Sequence, residues 1–299
     1  MRPQRTLRQR ITFVVTGTLM VAILFGVGIP TAFGARFILT ITSYGCPAET
    51  QPTMAYQDVS FPSSEFPGKA TPAYFIPADP PTGATMIVIP TGPDSRGDRM
   101  AEIEVYHAAG VNVLTYSSRT CVGGARDSLG YWEAMQVGDA LAYLKTRSDV
   151  DINRIGVHGF SAGGASAIMA AAQFPAIHAV VAEGGYHDFA AEVDQNATNI
   201  LWFAPFFRFG ARVGYRIAAD ADLSALSPVS VISQIAPRPI LLIYGTKEPS
   251  LNGAQLELAA AGSTATLWEV PNATHGSYLT TDPTDYKARV TAFVKTNLE

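Results

Sequence analysis

Charge is scarce in this chain. Only 15% of its 299 residues are charged, and the net charge is -4. Beyond the first ten residues there is no basic stretch, which excludes the electrostatic footprint of a nucleic-acid-binding protein. Cysteine is nearly absent too: Cys46 and Cys121 are the only two. Neither lies in a C-x-x-C pair, and no His/Cys cluster has metal-ligand spacing, so no metal and no other cofactor is expected. One disulfide is possible if the chain is exported, although sequence alone does not bring the two thiols within reach. No internal repeat is visible.

What is abundant is apolar sequence, at 47%, and part of the excess sits at the N-terminus. Residues 1–10 hold four arginines and no acid, and residues 11–29 follow without a single charge. That run is long enough to cross a bilayer as a helix. The positive flank predicts a cytoplasmic tail (1–10), a transmembrane signal anchor in the lipid bilayer (11–29) and an extracytoplasmic remainder. A cleaved signal peptide competes, with Ala32, Gly34 and Ala35 as small residues for a peptidase. Its apolar region would span only about 7–15 residues, which favours the anchor. Residues 30–54, with Pro47 and Pro52, read as a juxtamembrane connector.

The remainder, 55–299, alternates strand and helix patterns. Tyr56–Phe61 and Pro72–Ile76 read as an antiparallel edge pair. The runs 84–90, 111–116, 155–158, 177–182, 239–245 and 265–270 read as further strands, several of them continuously apolar. Helical spacing covers 99–109, 131–147, 162–173, 251–261 and 282–298. This order predicts an eight-stranded, mostly parallel sheet with helices on both faces and ligands bound outside the strand C-terminal ends. Residues 187–232 interrupt the alternation with an aromatic run, 201–209, and read as a lid over a site for a substrate with an apolar portion.

Gly159-Phe160-Ser161-Ala162-Gly163 stands between the strand at 155–158 and the helix at 162–173. A G-x-S-x-G in strand–turn–helix context presents its serine on a strained turn at a helix N-terminus. A serine hydroxyl needs a base, and the base needs an orienting group. Among five histidines, His275 lies in a loop after the last strand, with Gly276 to let the chain turn. His187 is its rival, while His158, His107 and His178 lie within or beside core elements. Glu248, just past the strand 239–245, is the candidate acid, followed by Glu183 and Asp188. For an oxyanion, Ala162 supplies one backbone N–H. The loop Pro90-Thr91-Gly92-Pro93-Asp94 supplies another from Thr91, Gly92 or Asp94, because proline has none.

The sequences Gly-Phe-Ser-Ala-Gly-Gly and Pro-Arg-Pro-Ile-Leu-Leu-Ile-Tyr-Gly, with Glu248 three past that last glycine, resemble the α/β-hydrolase superfamily over residues 55–299. The similarity is greatest to its dienelactone hydrolase and prolyl oligopeptidase-like group. The order Ser161, Glu248, His275 matches the family order. Many members carry His-Gly at the oxyanion loop where this chain has Thr91-Gly92, and an aspartate where it has Glu248. The resemblance implies a serine hydrolase working through a Ser-His-Glu triad and an acyl-enzyme. Carboxylic esters are the first expectation for substrate. Peptide cleavage is the alternative, and a non-catalytic binding protein at the membrane a third.

Overall fold

A computed structural model of the chain describes residues 6–92, 94–198 and 203–298; Pro93, Leu201, Trp202 and the first five residues of the basic tail lie outside them. The chain divides into two compact units, Met1–Ile41 with Ala191–Leu223 and Thr42–Ala190 with Ser224–Glu299.

The larger unit is built on eight strands: β1 (Gln57–Pro62), β2 (Ala70–Ile76), β3 (Thr85–Ile89), β4 (Asn112–Tyr116), β5 (Ile155–Phe160), β6 (Ala179–Glu183), β7 (Ile240–Gly245) and β8 (Ala265–Val270). Their order in the sheet is β1-β2-β4-β3-β5-β6-β7-β8. β2 runs antiparallel to both neighbours and every other pairing is parallel. Every residue of β3, β4, β6 and β7 is buried, the signature of parallel strands covered on both faces. Alternate side chains face opposite layers. Ile87, Val157 and Val180 pack in one core, and Met86, Val88 and Val181 in the other.

The flanking helices follow from their apolar stripes. In the chain's order they come after the N-terminal helix α1 (Leu7–Ile41). α2 (Met100–Ala108) and α8 (Pro283–Leu298) cover one face through Ile103, Tyr106, Tyr286 and Val290. α3 (Tyr131–Leu144), α4 (Ala162–Gln173) and α7 (Leu251–Ala261) cover the other through Val137, Leu141, Ile168 and Ala254. Register then sets the functional edge. Ile89 pairs with Gly159 and Phe160 with Glu183, so the C-terminal ends of β3, β5 and β6 stand side by side.

Residues 42–56 form an irregular strap on this unit. Cys46 and Cys121 are disulfide-bonded across a sequence separation of 75. Arg96 is buried and pairs with Glu49 of the strap at 2.8 Å and with Asp58 at 2.7 Å. Replacing both cysteines by serine removes the constraint from the unfolded chain. It should lower unfolding stability by about 2–5 kcal/mol, read in urea at fixed pH.

The smaller unit contains α1, all but the first two residues of α5 (Phe189–Thr198), and α6 (Ala204–Ala219). α1 is one helix of 35 residues, long and apolar enough to cross a membrane; an anchor and a signal sequence both fit that description. Helical backbone continues through 30–41, part of the expected connector, because Pro30 is accommodated rather than obeyed as a stop. The preceding turn, Leu24–Gly28, widens to π geometry, and the Ile29 N–H donates to the Leu24 carbonyl five residues back.

The expected lid, 187–232, is not one body. Its first residues (187–190) and its last part (224–232) belong to the larger unit, where Ile232 enters the hydrophobic core. α6 instead packs on α1 almost backbone to backbone. A Cβ on Gly34 would stand 2.0 Å from the Phe207 carbonyl oxygen, and one on Gly210 would stand 1.9 Å from that of Thr31. Small residues at both crossings permit this approach.

Candidate active site

The serine turn is held in strained geometry. Ser161 has φ 56° and ψ -126°, a region that costs a residue with a Cβ about 1–3 kcal/mol and persists only where the surroundings over-determine it. Here the Ser161 N–H donates to the Glu183 carbonyl at 2.7 Å, and the Ser161 carbonyl accepts from the Gly164 N–H at 2.9 Å. The flanking glycines are steric requirements. A Cβ on Gly159 would lie 1.9 Å from the Gly163 oxygen, and one on Gly164 would lie 2.8 Å from the Glu183 oxygen.

His275 reaches the serine from the loop after β8. That loop turns at Gly276, with φ 77°, and is closed by the Thr274 N–H donating to Ser277 Oγ at 2.9 Å. The imidazole lies against Phe160, with ring centroids 4.7 Å apart, and the Arg99 guanidinium lies over the same phenyl ring at 4.2 Å. His275 Nε2 is 3.1 Å from Ser161 Oγ, and Nδ1 is 3.2 Å from Glu248 Oε2.

Glu248 is placed by the turn that ends β7. Its Oε1 accepts from the Gly245 N–H at 2.7 Å and its Oε2 from the Ser250 hydroxyl at 3.0 Å. Burial by itself would raise this carboxyl. Hydrogen bonding, that from His275 foremost, outweighs it and holds the group below the usual glutamate range. A carboxylate can only accept, so Nδ1 carries the proton and Nε2 turns its lone pair to the serine hydroxyl. The Glu248 side chain is 0% exposed and that of His275 47%. The acid is therefore sealed while the imidazole stays open to a ligand.

The other candidates lie elsewhere. Glu183 accepts a hydrogen bond from the Tyr286 hydroxyl and stands 3.5 Å from His158 Nε2 in the core behind the serine turn. Asp188 accepts from the Ser227 hydroxyl at 2.7 Å. His187 packs on Gly253 of α7. His107 is in the last turn of α2, and the His178 N–H donates to the Ile155 carbonyl.

The loop after β3 is a turn closed on itself. Thr91 Oγ1 donates to Asp94 Oδ2 at 2.6 Å, and the Thr91 N–H points at the same oxygen at 3.4 Å. The Asp94 N–H returns to the Thr91 carbonyl at 2.6 Å. Thr91 also faces the serine turn: a Cβ on Gly163 would lie 2.9 Å from its methyl. Gly92 sits under the ring of Tyr44 and beside Asp127 Oδ2, where a Cβ would find 2.6 and 2.7 Å respectively. Burial, then the Glu133 carboxylate, pushes the Asp127 carboxyl well above the usual aspartate range. That favours its uncharged form beside Gly92.

Sequence reasoning missed three contributors. The backbone of Glu183 braces the serine turn, Phe160 and Arg99 form the platform under His275, and the strap carries Tyr44 to Gly92. Phe160 lies inside the motif and could have been suspected. The strap carries no periodicity, and its course follows from the disulfide rather than from any local pattern.

An eight-stranded sheet with this edge defines the α/β-hydrolase fold of serine hydrolases. The chain belongs to the prolyl oligopeptidase family, whose model matches residues 123–299. Among solved structures it is similar to an esterase of Pyrococcus furiosus, at 21% identity and a TM-score of 0.65, covering 85% of this chain and 99% of that one. The α/β-hydrolase GrgF of Penicillium sp. sh18 is similar at 16% identity and a TM-score of 0.63, covering 82% and 99%. An acylaminoacyl peptidase of Pyrococcus horikoshii is similar at 16% identity and 0.59, covering 82% of this chain and 42% of the other. No sequence among curated proteins matches this one.

Proposed function

We propose that this chain hydrolyses carboxylic esters through Ser161, His275 and Glu248, from a catalytic unit anchored by α1 on the extracytoplasmic side of a membrane. The observation that carries the reading is the continuous relay at 3.1 and 3.2 Å from Ser161 through His275 to Glu248.

In this mechanism Ser161 Oγ attacks the ester carbonyl carbon while His275 Nε2 takes its proton. The carbonyl π pair moves to oxygen, and that oxyanion lies against the N–H of Ala162 and a second N–H from the loop after β3. Thr91 already directs its N–H at Asp94, which favours Gly92 for that role. On collapse the C–O bond breaks, and the leaving alkoxide takes the proton from Nε2. The acyl group stays on Ser161. Water then attacks, with Nε2 again as base, and the carboxylic acid leaves as Ser161 regains its proton. Phe160 beside His275 and the half-exposed Tyr44 ring beside Gly92 suit an ester with an apolar portion.

The Thr91–Asp94 hydrogen bonds hold the donor in place. Asp94→Ala should lower kcat by up to roughly 10²-fold with little change in KM, as a displacement of about 1 Å does. Steady-state rates on one ester read this directly. A rise in KM at constant kcat would assign Asp94 to ground-state binding instead.

A peptidase reading is favoured by one observation, the family match itself. Comparing kcat/KM for short p-nitrophenyl esters and aminoacyl amides decides between them, and faster amide cleavage would overturn the esterase proposal. The disulfide supports an oxidising compartment. Recovery of a mature protein beginning near residue 35 would refute the anchor.

A further inference from the structure

The smaller unit carries an amphipathic surface made of residues outside the Ser161–His275–Glu248 relay. α6 (Ala204–Ala219) has three distinct stripes. Phe207, Gly210, Ala211 and Gly214 are buried, and glycine contacts align Gly210 with Thr31 and Gly214 with Ala35, so α6 runs parallel to α1 at the end of its uncharged stretch. A second stripe is apolar and open: Phe209, Val213 and Ile217 are 60%, 38% and 65% exposed. The third is basic, with Arg212 and Arg216 exposed one and two turns further along.

Helical spacing places the apolar stripe between the α1-facing side and the arginines. With Pro205 and Phe206, Phe209 therefore lines a shallow apolar groove shared with Val27, Gly28, Thr31, Ala32 and Ala35 of α1. The two helices change character at one level. Arg36 is the first charge on α1 after Arg10, it is exposed, and it adjoins Ala35, which meets Gly214 between Arg212 and Arg216. The deeper Arg208 is neutralised by Asp194 at 3.0 Å. Apolar side chains below and exposed arginines at the rim, where Arg216 pairs with the exposed Asp220 at 3.6 Å, are the pattern of a helix seated at a bilayer boundary, with cations meeting phosphate headgroups.

We propose that α6 is a membrane-seated helix. Its Phe206–Phe209–Val213–Ile217 stripe and the groove beside it face the acyl chains of the leaflet from which α1 emerges, and Arg36 and Arg212 contact anionic headgroups. The proposal rests on α1 being a membrane anchor. It assigns the aromatic insertion to lipid rather than to substrate.

The full chain has no free cysteine among its described residues, so Phe209→Cys and, as a control, Lys145→Cys on the larger unit each offer one thiol for a bimane label. Both positions are exposed, and folding of each variant is checked by its melting transition. The labelled chains are reconstituted in phosphatidylglycerol/phosphatidylcholine vesicles with and without brominated acyl chains. Flotation with the vesicles reads the anchor separately from the label. The expected result is flotation of both, with at least ~2-fold quenching at 209, as for a side chain about 5–10 Å into the headgroup–acyl boundary, and none at 145. Flotation with an unquenched label at 209 overturns the proposal and leaves the anchor standing, including when that label is shielded from aqueous iodide by protein. Failure to float overturns both.

Discussion

Ser161→Ala should fold as the parent does and lose about 10⁶-fold in kcat, the scale on which removal of a serine nucleophile falls. The fold is expected to survive because alanine keeps the Cβ and every backbone bond at the turn. The N–H of residue 161 still donates to the Glu183 carbonyl, and its carbonyl still accepts from the Gly164 N–H. What disappears is the Oγ 3.1 Å from His275 Nε2. A companion variant tests the strain itself. Ser161→Gly removes the Cβ from a backbone at φ 56°, so it should be more stable than Ser161→Ala by about 1 kcal/mol while being equally inactive. Thermal unfolding of the two, beside turnover of one chromogenic ester, reads both effects. Equal stability would mean that the turn is not strained.

Glu248→Gln should be the second largest loss, about 10⁴-fold in kcat, because an amide no longer fixes the imidazole tautomer or stabilises its cation. The isosteric amide still accepts at Oε1 from the Gly245 N–H, which separates loss of charge from loss of shape. This substitution also carries a pH signature. The folded-state pKa of Glu248 is lowered, so its charge contributes stability that is fully present above the usual glutamate range and is lost as pH falls through the lowered folded value. Unfolding free energies of parent and Glu248→Gln, measured down a pH series, should therefore converge in acid. A gap that widens toward low pH would mean a raised carboxyl. Unchanged turnover of the variant would move the orienting role to Glu183 or Asp188.

Much of this was readable because short-range physics sets it. The helices Ala162–Gln173 and Leu251–Ala261 and the strand Ala265–Val270 have the limits their composition and flanking glycines predict. The serine turn declares itself because Gly159 and Gly164 are dictated by contacts within a few residues or with the adjacent strand. His275 and Glu248 are legible from their positions just past strand ends, where a parallel sheet must bring them to one edge. The rest depends on distant partners. Residues 30–41 read as a connector because no clear period is visible from 30 to 54, yet the helix continues past Pro30 after a turn, Leu24–Gly28, that widens to π geometry. Residues 187–232 read as one insertion because aromatic content cannot say whether Phe207 or Ile232 faces α1 or the core. The Gly210-x-x-x-Gly214 spacing held that information, but only once a partner helix was known. The course of the strap was hidden because one cystine and one buried arginine, not periodicity, hold residues 42–56 in place.

The central claim is that Ser161 is a nucleophile activated by His275. It is tested most directly by treating the folded, disulfide-intact chain with a fluorophosphonate and mapping the adduct by peptide mass spectrometry. The account predicts stoichiometric labelling on Ser161, absent in Ser161→Ala and strongly slowed in Glu248→Gln. A folded protein that stays unlabelled, or one labelled at another residue, would contradict it.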